Sequence, residues 1–187
     1  KMTSIEIIKI PNFISDEDCA ILVDAFENNA LTNSANGFWD NMIVYPAKIT
    51  DRDILELMID TSTRTREAIL DVYKPKEIFS DSIMLCRWDV GKQLTPHIDN
   101  QDSHEYSTPW RTYSSLVYLN EDFEGGEIFF PRLNEALKPA TGMLVIFSSG
   151  PEHEHGVKAV TAGQRYTMPS WYTSDEAHKN ELSMPPG

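Results

Sequence analysis

From Ile78 to Tyr172 the chain breaks into short apolar or alternating runs at 83–89, 113–119, 127–131, 144–147, 157–160 and 164–172, separated by Gly, Pro, Asn and Asp. Runs this short are strand-sized, and their regular recurrence predicts an all-β core of the sandwich, barrel or jelly-roll kind. Ahead of them the period changes. Ser15 can cap a helix whose first turn carries Asp16, Glu17 and Asp18, with Cys19, Leu22, Val23 and Phe26 at helical spacing, which predicts a helix over 16–29. A second helix over 51–73 puts Ile54, Leu55, Met58, Ile59, Ile69 and Val72 on one face and ends at Pro75. Short strands are expected at 5–10 and at 43–49, the latter interrupted by Pro46 and so suited to an edge. The expected fold is mainly β with supporting helices: one domain over 1–187, with helical support over about 1–76, a jelly-roll core over about 77–175 and a frayed tail at 180–187.

Charge narrows the partners. Sixteen basic residues stand against 29 acidic ones, a net charge of −13 with no Lys/Arg block, which disfavours nucleic acid. An anionic ligand would need a local basic pocket. The apolar run 143–147 is far below the roughly 18–20 residues of a membrane span, so no membrane partner is expected. Cys19 and Cys86 form no CxxC pair, which predicts reduced core thiols and a cytoplasmic location. Lys1-Met2 reads as an addition before the native start, and no apolar leader follows it.

The chemistry concentrates around His97-Ile98-Asp99. On extended backbone, residues i and i+2 share a face, so this imidazole and carboxylate can reach one ion; a plain His–Asp hydrogen bond at a strand end is the competing reading. His155 lies past the strand at 144–147, with Arg165 ten residues further on a strand of its own, followed by Thr167. Two His and one carboxylate leave positions open on a metal, which suits non-haem Fe(II) and oxygen chemistry rather than closed structural zinc. An Arg in the same pocket is a bidentate fork for a carboxylate, against the alternative of a structural salt bridge.

An ordered series of motifs now resembles the 2-oxoglutarate/Fe(II)-dependent oxygenases, and among them the prolyl 4-hydroxylase-like group. The series is Arg87-Trp88-x-x-Gly91, His97-x-Asp99, Tyr118-Leu119-Asn120, Gly125-Gly126-Glu127 with Phe130-Pro131, Pro139-x-x-Gly142, His155-Gly156, Val160-x-x-Gly163-x-Arg165 and Trp171. The resemblance implies a double-stranded β-helix that holds Fe(II) through His97, Asp99 and His155. It implies 2-oxoglutarate with its far carboxylate on Arg165, assisted by Thr167 and the Tyr118 hydroxyl, O2 as oxidant and ascorbate as a candidate reductant. The family commonly has Tyr where this chain has Trp88, a position that helps hold the cosubstrate. Arg165 matches the oxygen-sensing animal members, since collagen-type members carry Lys there. Arg111 and Trp171 match positions facing the target proline, Arg111 toward a peptide carbonyl and Trp171 as an apolar wall.

The implied reaction is hydroxylation of a prolyl residue at C4, releasing succinate and carbon dioxide, by a monomer or homodimer. A hydroxylase of a free amino acid or other small molecule is the runner-up, and a non-catalytic cupin-like metal module or a metal-free interaction domain stand behind it. His153 shares a face with His155 on extended backbone but lacks the ten-residue spacing to Arg165, and is expected to face solvent from a loop. His104 and His178 are expected to be surface residues. Loops near 30–45 and 100–110 are left to recognise substrate, with 100–109 as a candidate lid.

Overall fold

The computed structural model describes residues 6–30, 39, 41–102 and 107–182. Strand β1 (Ile8–Ile10) leads into helix α1 (Asp16–Asn29), whose N-cap Ser15 accepts from the Asp18 amide. After β2 (Ile43–Val44) and a 3-10 turn at Pro46–Lys48 comes α2 (Arg52–Tyr73), capped by the Asp51 carboxylate and stopped by Lys74 in the left-handed region before Pro75. Both helices fall where capping and periodicity place them. The expected strand at 43–49 is shorter, because Pro46 starts a 3-10 turn instead of continuing an edge.

The β region comprises β3 (Phe79–Ile83), β4 (Leu85–Trp88), β5 (Leu94–His97), β6 (Arg111–Tyr118), β7 (Glu124–Gly125), β8 (Ile128–Phe130), β9 (Glu135–Ala136), β10 (Leu144–Ser148), β11 (His155–Val157), β12 (Val160–Ala162) and β13 (Arg165–Thr173). A seven-stranded antiparallel sheet runs β1-β10-β6-β13-β4-β2, with β3 also pairing β13, and faces a four-stranded sheet β5-β11-β8-β9, while β7 and β12 form a separate ribbon. This mostly antiparallel, two-sheet arrangement with helices on one side is a jelly-roll core.

Alternation sorts the core. On β10, Leu144 and Ile146 pack with Leu22, Phe26, Met58 and Ile69 of the helices, whereas Val145 and Phe147 point between the sheets with Ile128 and Phe130. On β6, Val117 faces the helices and Leu116 and Tyr118 face inward. The large sheet is therefore buried on both faces, which is why 143–147 reads as an unbroken apolar run. The same alternation on β13 turns Tyr166 and Met168 to the helices and leaves Arg165 and Thr167 for the interior.

Two expected strands are each split. The run 83–89 breaks at Met84, whose amide donates to the Pro169 carbonyl. Pro169 has no N–H to give on that side, and there β13 changes partner from β4 to β3. The run 157–160 is the end of β11 and the start of β12, which belong to different sheets. The tail is not frayed over 180–182: the Asn180 amide donates to Ser80 O, and Leu182 packs on the helical core. Among the described residues no helix is long and apolar enough to cross a membrane.

Candidate metal centre and cosubstrate pocket

Register brings the two histidines together. His97 ends β5 and His155 begins β11, and they are direct partners across these strands, with ring centroids 4.5 Å apart. His97 Nδ1 lies 3.0 Å from Thr95 O, and His155 Nδ1 lies 2.8 Å from His153 O. A carbonyl only accepts, so Nδ1 carries a proton on each ring; the neutral ring then presents the Nε2 lone pair, and the charged ring donates from Nε2 to Asp99. Both Nε2 atoms face one oxygen: Asp99 Oδ1 lies 3.2 Å from His97 Nε2 and 3.4 Å from His155 Nε2. Ligand atoms of these three residues lie within 4.8 Å of one another, so together they could hold a metal ion.

The other carboxylate oxygen is occupied. Asp99 Oδ2 accepts from Ser114 Oγ at 2.6 Å and from the Trp171 indole N–H at 3.0 Å. Ser114 Oγ is itself 2.8 Å from Ser149 Oγ, and Thr108 Oγ1 donates to the Asp99 carbonyl at 2.6 Å. Burial alone would push the Asp99 carboxyl up, but the charges of His155 and His97 and the hydrogen bonds from His97 and Ser114 hold it well below the usual carboxylate range. Burial pushes His155 down, with Asp99 as a partial offset, whereas at His97 the contact with Asp99 outweighs burial and raises it. Anion, two aimed imidazoles and one free carboxylate oxygen suit Fe(II) with open positions.

The residues proposed for the cosubstrate gather at the start of β13. On β13, Arg165 pairs with Trp88 of β4, and Thr167 sits between Cys86 of β4 and Tyr118 of β6. All four proposed cosubstrate residues, Trp88, Tyr118, Arg165 and Thr167, are buried. The Arg165 guanidinium carbon lies 5.2 Å from the Trp88 ring and 5.5 Å from the Tyr118 ring, and Nε donates to Gly126 O at 2.9 Å. Neither a carboxylate nor any other counter-charge contacts this buried cation among the described residues, which removes the structural salt bridge as its explanation. The Tyr118 hydroxyl is buried with no hydrogen-bond partner among the described residues. A cation and an orphaned donor, buried together, are what a bound carboxylate would complete.

Other expectations change. His153 does not face solvent: it is buried, edge-on to Phe130 and Phe147, and its Nδ1 accepts from the Ser148 amide at 2.8 Å. The 3-10 turn Pro151–His153 breaks the extended geometry that would put it beside His155. His178 is on the surface but stacks on Trp110 at 4.1 Å. His104 lies outside the described residues, as does part of the candidate lid, whose ends are tied by the Asp102–Ser107 bridge. Trp171 meets Asp99 and Arg111 rather than forming a bare apolar wall, and Arg111 is paired with Asp81 at 3.0 Å. Ser114, Ser149 and Thr108 were missed because a Ser or Thr in a strand or loop carries no signal until register puts it beside a carboxylate.

Residues 83–173 match the family model of the 2OG-Fe(II) oxygenase superfamily. They form a 2OG-Fe(II) oxygenase core. Its curated relatives include prolyl 3-hydroxylase 2 of Rattus norvegicus, 45% identical over 75 residues, which cover 37% of this chain and 11% of the relative. Prolyl 3-hydroxylase 1 of Gallus gallus is 36% identical over 124 residues, covering 54% of this chain and 17% of the relative. The chain thus spans a small part of the length of these relatives. A solved viral collagen prolyl hydroxylase of Paramecium Bursaria Chlorella virus-1, in complex with 2OG, shares the oxygenase fold at TM-score 0.72 and 22% identity, covering 91% of this chain and 96% of that one. A prolyl hydroxylase of Trichoplax adhaerens, solved with a hypoxia inducible factor peptide, aligns at TM-score 0.72 and 17% identity over 92% of this chain and 85% of that one.

Proposed function

We propose that the protein is a 2-oxoglutarate- and Fe(II)-dependent dioxygenase that hydroxylates prolyl residues of a peptide or protein. The observation that carries this reading is the convergence of His97, Asp99 and His155, within 4.8 Å, on the inner face that also buries Arg165 and Tyr118. When bound, Fe(II) and 2-oxoglutarate supply the oxidising chemistry, in which O2 is consumed, 2-oxoglutarate becomes succinate and carbon dioxide, and one oxygen atom enters a substrate C–H bond. Ascorbate serves as the reductant that keeps the iron ferrous.

The chain supplies orientation. His97, Asp99 and His155 hold the metal, with Nε2 of each ring and Oδ1 of Asp99 as donors. Arg165 takes the far carboxylate of 2-oxoglutarate, Tyr118 and Thr167 donate to it, and Trp88 closes the side of the pocket. Phe130 and Phe147 lie 5.8 and 4.8 Å from the His155 ring and exclude water from that side. Arg111, at the end of β6, offers its remaining N–H groups to a substrate carbonyl.

The ring carbon has two readings. C4 follows from the motif series, as a procollagen-proline-type 4-hydroxylase. C3 is favoured by a specific observation, the 45% identity to a prolyl 3-hydroxylase over 75 residues. Incubation with Fe(II), 2-oxoglutarate and ascorbate, followed by mass spectrometry across proline-rich peptides and free amino acids, tests the function. Addition of one oxygen to a peptidyl proline, with succinate formed, is expected, and amino-acid analysis then distinguishes 4- from 3-hydroxyproline. Product from free proline alone would replace the peptidyl reading with the small-molecule one.

A further inference from the structure

Trp171 and Ser114 are direct partners across β13 and β6. Because they share that register and face, both side chains reach the same atom, Asp99 Oδ2, at 3.0 and 2.6 Å. Two donors leave that oxygen little capacity to bind anything else, while Oδ1 faces the two imidazoles. The indole is held in turn. The Arg111 guanidinium carbon lies 4.1 Å from the centre of the Trp171 ring, and Arg111 Nε donates to Asp81 Oδ2 at 3.0 Å from β3 on the other side of β13. Asp81, Arg111, Trp171 and Asp99 thus form one chain of contacts across three neighbouring strands, ending on a proposed metal ligand.

We propose that Trp171 is a positioning residue for the metal centre: with Ser114 it confines Asp99 to ligation through a single oxygen, and the Asp81–Arg111 pair keeps its indole N–H aimed at Oδ2. The inference rests on the reading that His97, Asp99 and His155 bind the metal. A carboxylate freed at Oδ2 can rotate about its terminal torsion or offer both oxygens, and either change alters affinity and coordination number together. Partners of this kind are worth about 10–100-fold in metal affinity. Arg111 has a double position, since it lies beside the substrate side of the site and also steadies the group that steadies the ligand.

The test is a titration with Co(II), whose visible d–d absorption reports affinity and coordination number in one experiment. Wild type, Asp99→Ala, Trp171→Phe, Arg111→Gln, the Trp171→Phe/Arg111→Gln double variant and a distant core control, Phe26→Leu, are compared, with circular dichroism confirming the fold of each. Trp171→Phe is expected to weaken Co(II) by about 10–100-fold and to change the band shape, and Phe26→Leu to leave both as in wild type. Arg111→Gln is expected to weaken Co(II) in the wild-type background and to add nothing in the Trp171→Phe background. Wild-type affinity and band in Trp171→Phe, or in Arg111→Gln should Trp171→Phe fail to fold, overturns the inference. Wild-type binding in Asp99→Ala overturns the ligand assignment itself, so the two failures are distinguishable.

Discussion

His97 and His155 face each other across β5 and β11, and each ring is locked by a hydrogen bond from Nδ1 to a backbone carbonyl two residues earlier in its own chain segment. The site is therefore organised by backbone before any metal arrives: strand pairing sets the distance and the carbonyls set the tautomer. Both Nε2 atoms and Asp99 Oδ1 already face one another, within reach of a common ion.

The role proposed for Arg165 is to anchor the cosubstrate rather than the metal. Arg165→Ala is expected to weaken 2-oxoglutarate by about 2–3 kcal/mol, the range of a charge-assisted pair, and to leave metal affinity close to wild type. Calorimetry with each ligand separately checks this, and equal loss for both would contradict the clamp role.

Tyr118 gives a cleaner separation of stability from binding. Its hydroxyl has no hydrogen-bond partner within normal geometry among the described residues, and burial pushes the phenol up, with the charge and proximity of the Arg165 donor as a partial offset, so it remains a donor at neutral pH. Tyr118→Phe is expected to leave the thermal midpoint of the ligand-free protein unchanged or raised, and to cost about 1 kcal/mol in 2-oxoglutarate affinity. Unchanged affinity would remove the hydroxyl from the pocket.

Gly126 packs closely against Arg165. Its φ is +69°, and a Cβ would stand 2.9 Å from Arg165 Cδ and 3.2 Å from a Val160 methyl, while its carbonyl already receives Arg165 Nε. Gly126→Ala is expected to cost about 1–2 kcal/mol of stability through the left-handed backbone and to weaken 2-oxoglutarate by displacing Arg165. Denaturant melts and a 2-oxoglutarate titration measure the two effects.

Acid sensitivity has a local source between helix and sheet. Glu27 of α1 accepts from Tyr166 of β13 and from Arg87 of β4; burial pushes its carboxyl up, but these hydrogen bonds and the Arg87 charge hold it below its ordinary value. The stabilisation is present above the unfolded value of about 4.3 and is lost as pH falls through the lower folded value. Glu27→Gln should therefore lower the thermal midpoint at neutral pH and flatten its fall below about pH 4.3. A variant with the same slope as wild type would place the acid sensitivity elsewhere.

Much of this was readable from residues alone. Ser15 and Asp51 mark the helix starts because a capping side chain is a local device. The order His97, Asp99, His155, Arg165 is equally visible, since motif spacing survives without knowledge of the sheet. What local pattern cannot show is which strand lies opposite. Trp171 looks like a wall until β6 places Ser114 across from it, and His153 looks exposed until a 3-10 turn folds it under Phe130. The breaks at Met84 and between Val157 and Val160 are hidden for the same reason, because an apolar run reads as continuous whether or not it changes partner.

The central claim is that His97, Asp99 and His155 hold Fe(II) with 2-oxoglutarate reaching Arg165. Its most direct test is the visible absorption of the protein with Fe(II) under anaerobic conditions, before and after 2-oxoglutarate is added. A weak charge-transfer band is predicted to appear with 2-oxoglutarate in wild type, to need more 2-oxoglutarate in Arg165→Ala, and to be absent from His97→Ala and Asp99→Ala. A band that persists at wild-type intensity in both ligand variants would contradict the account.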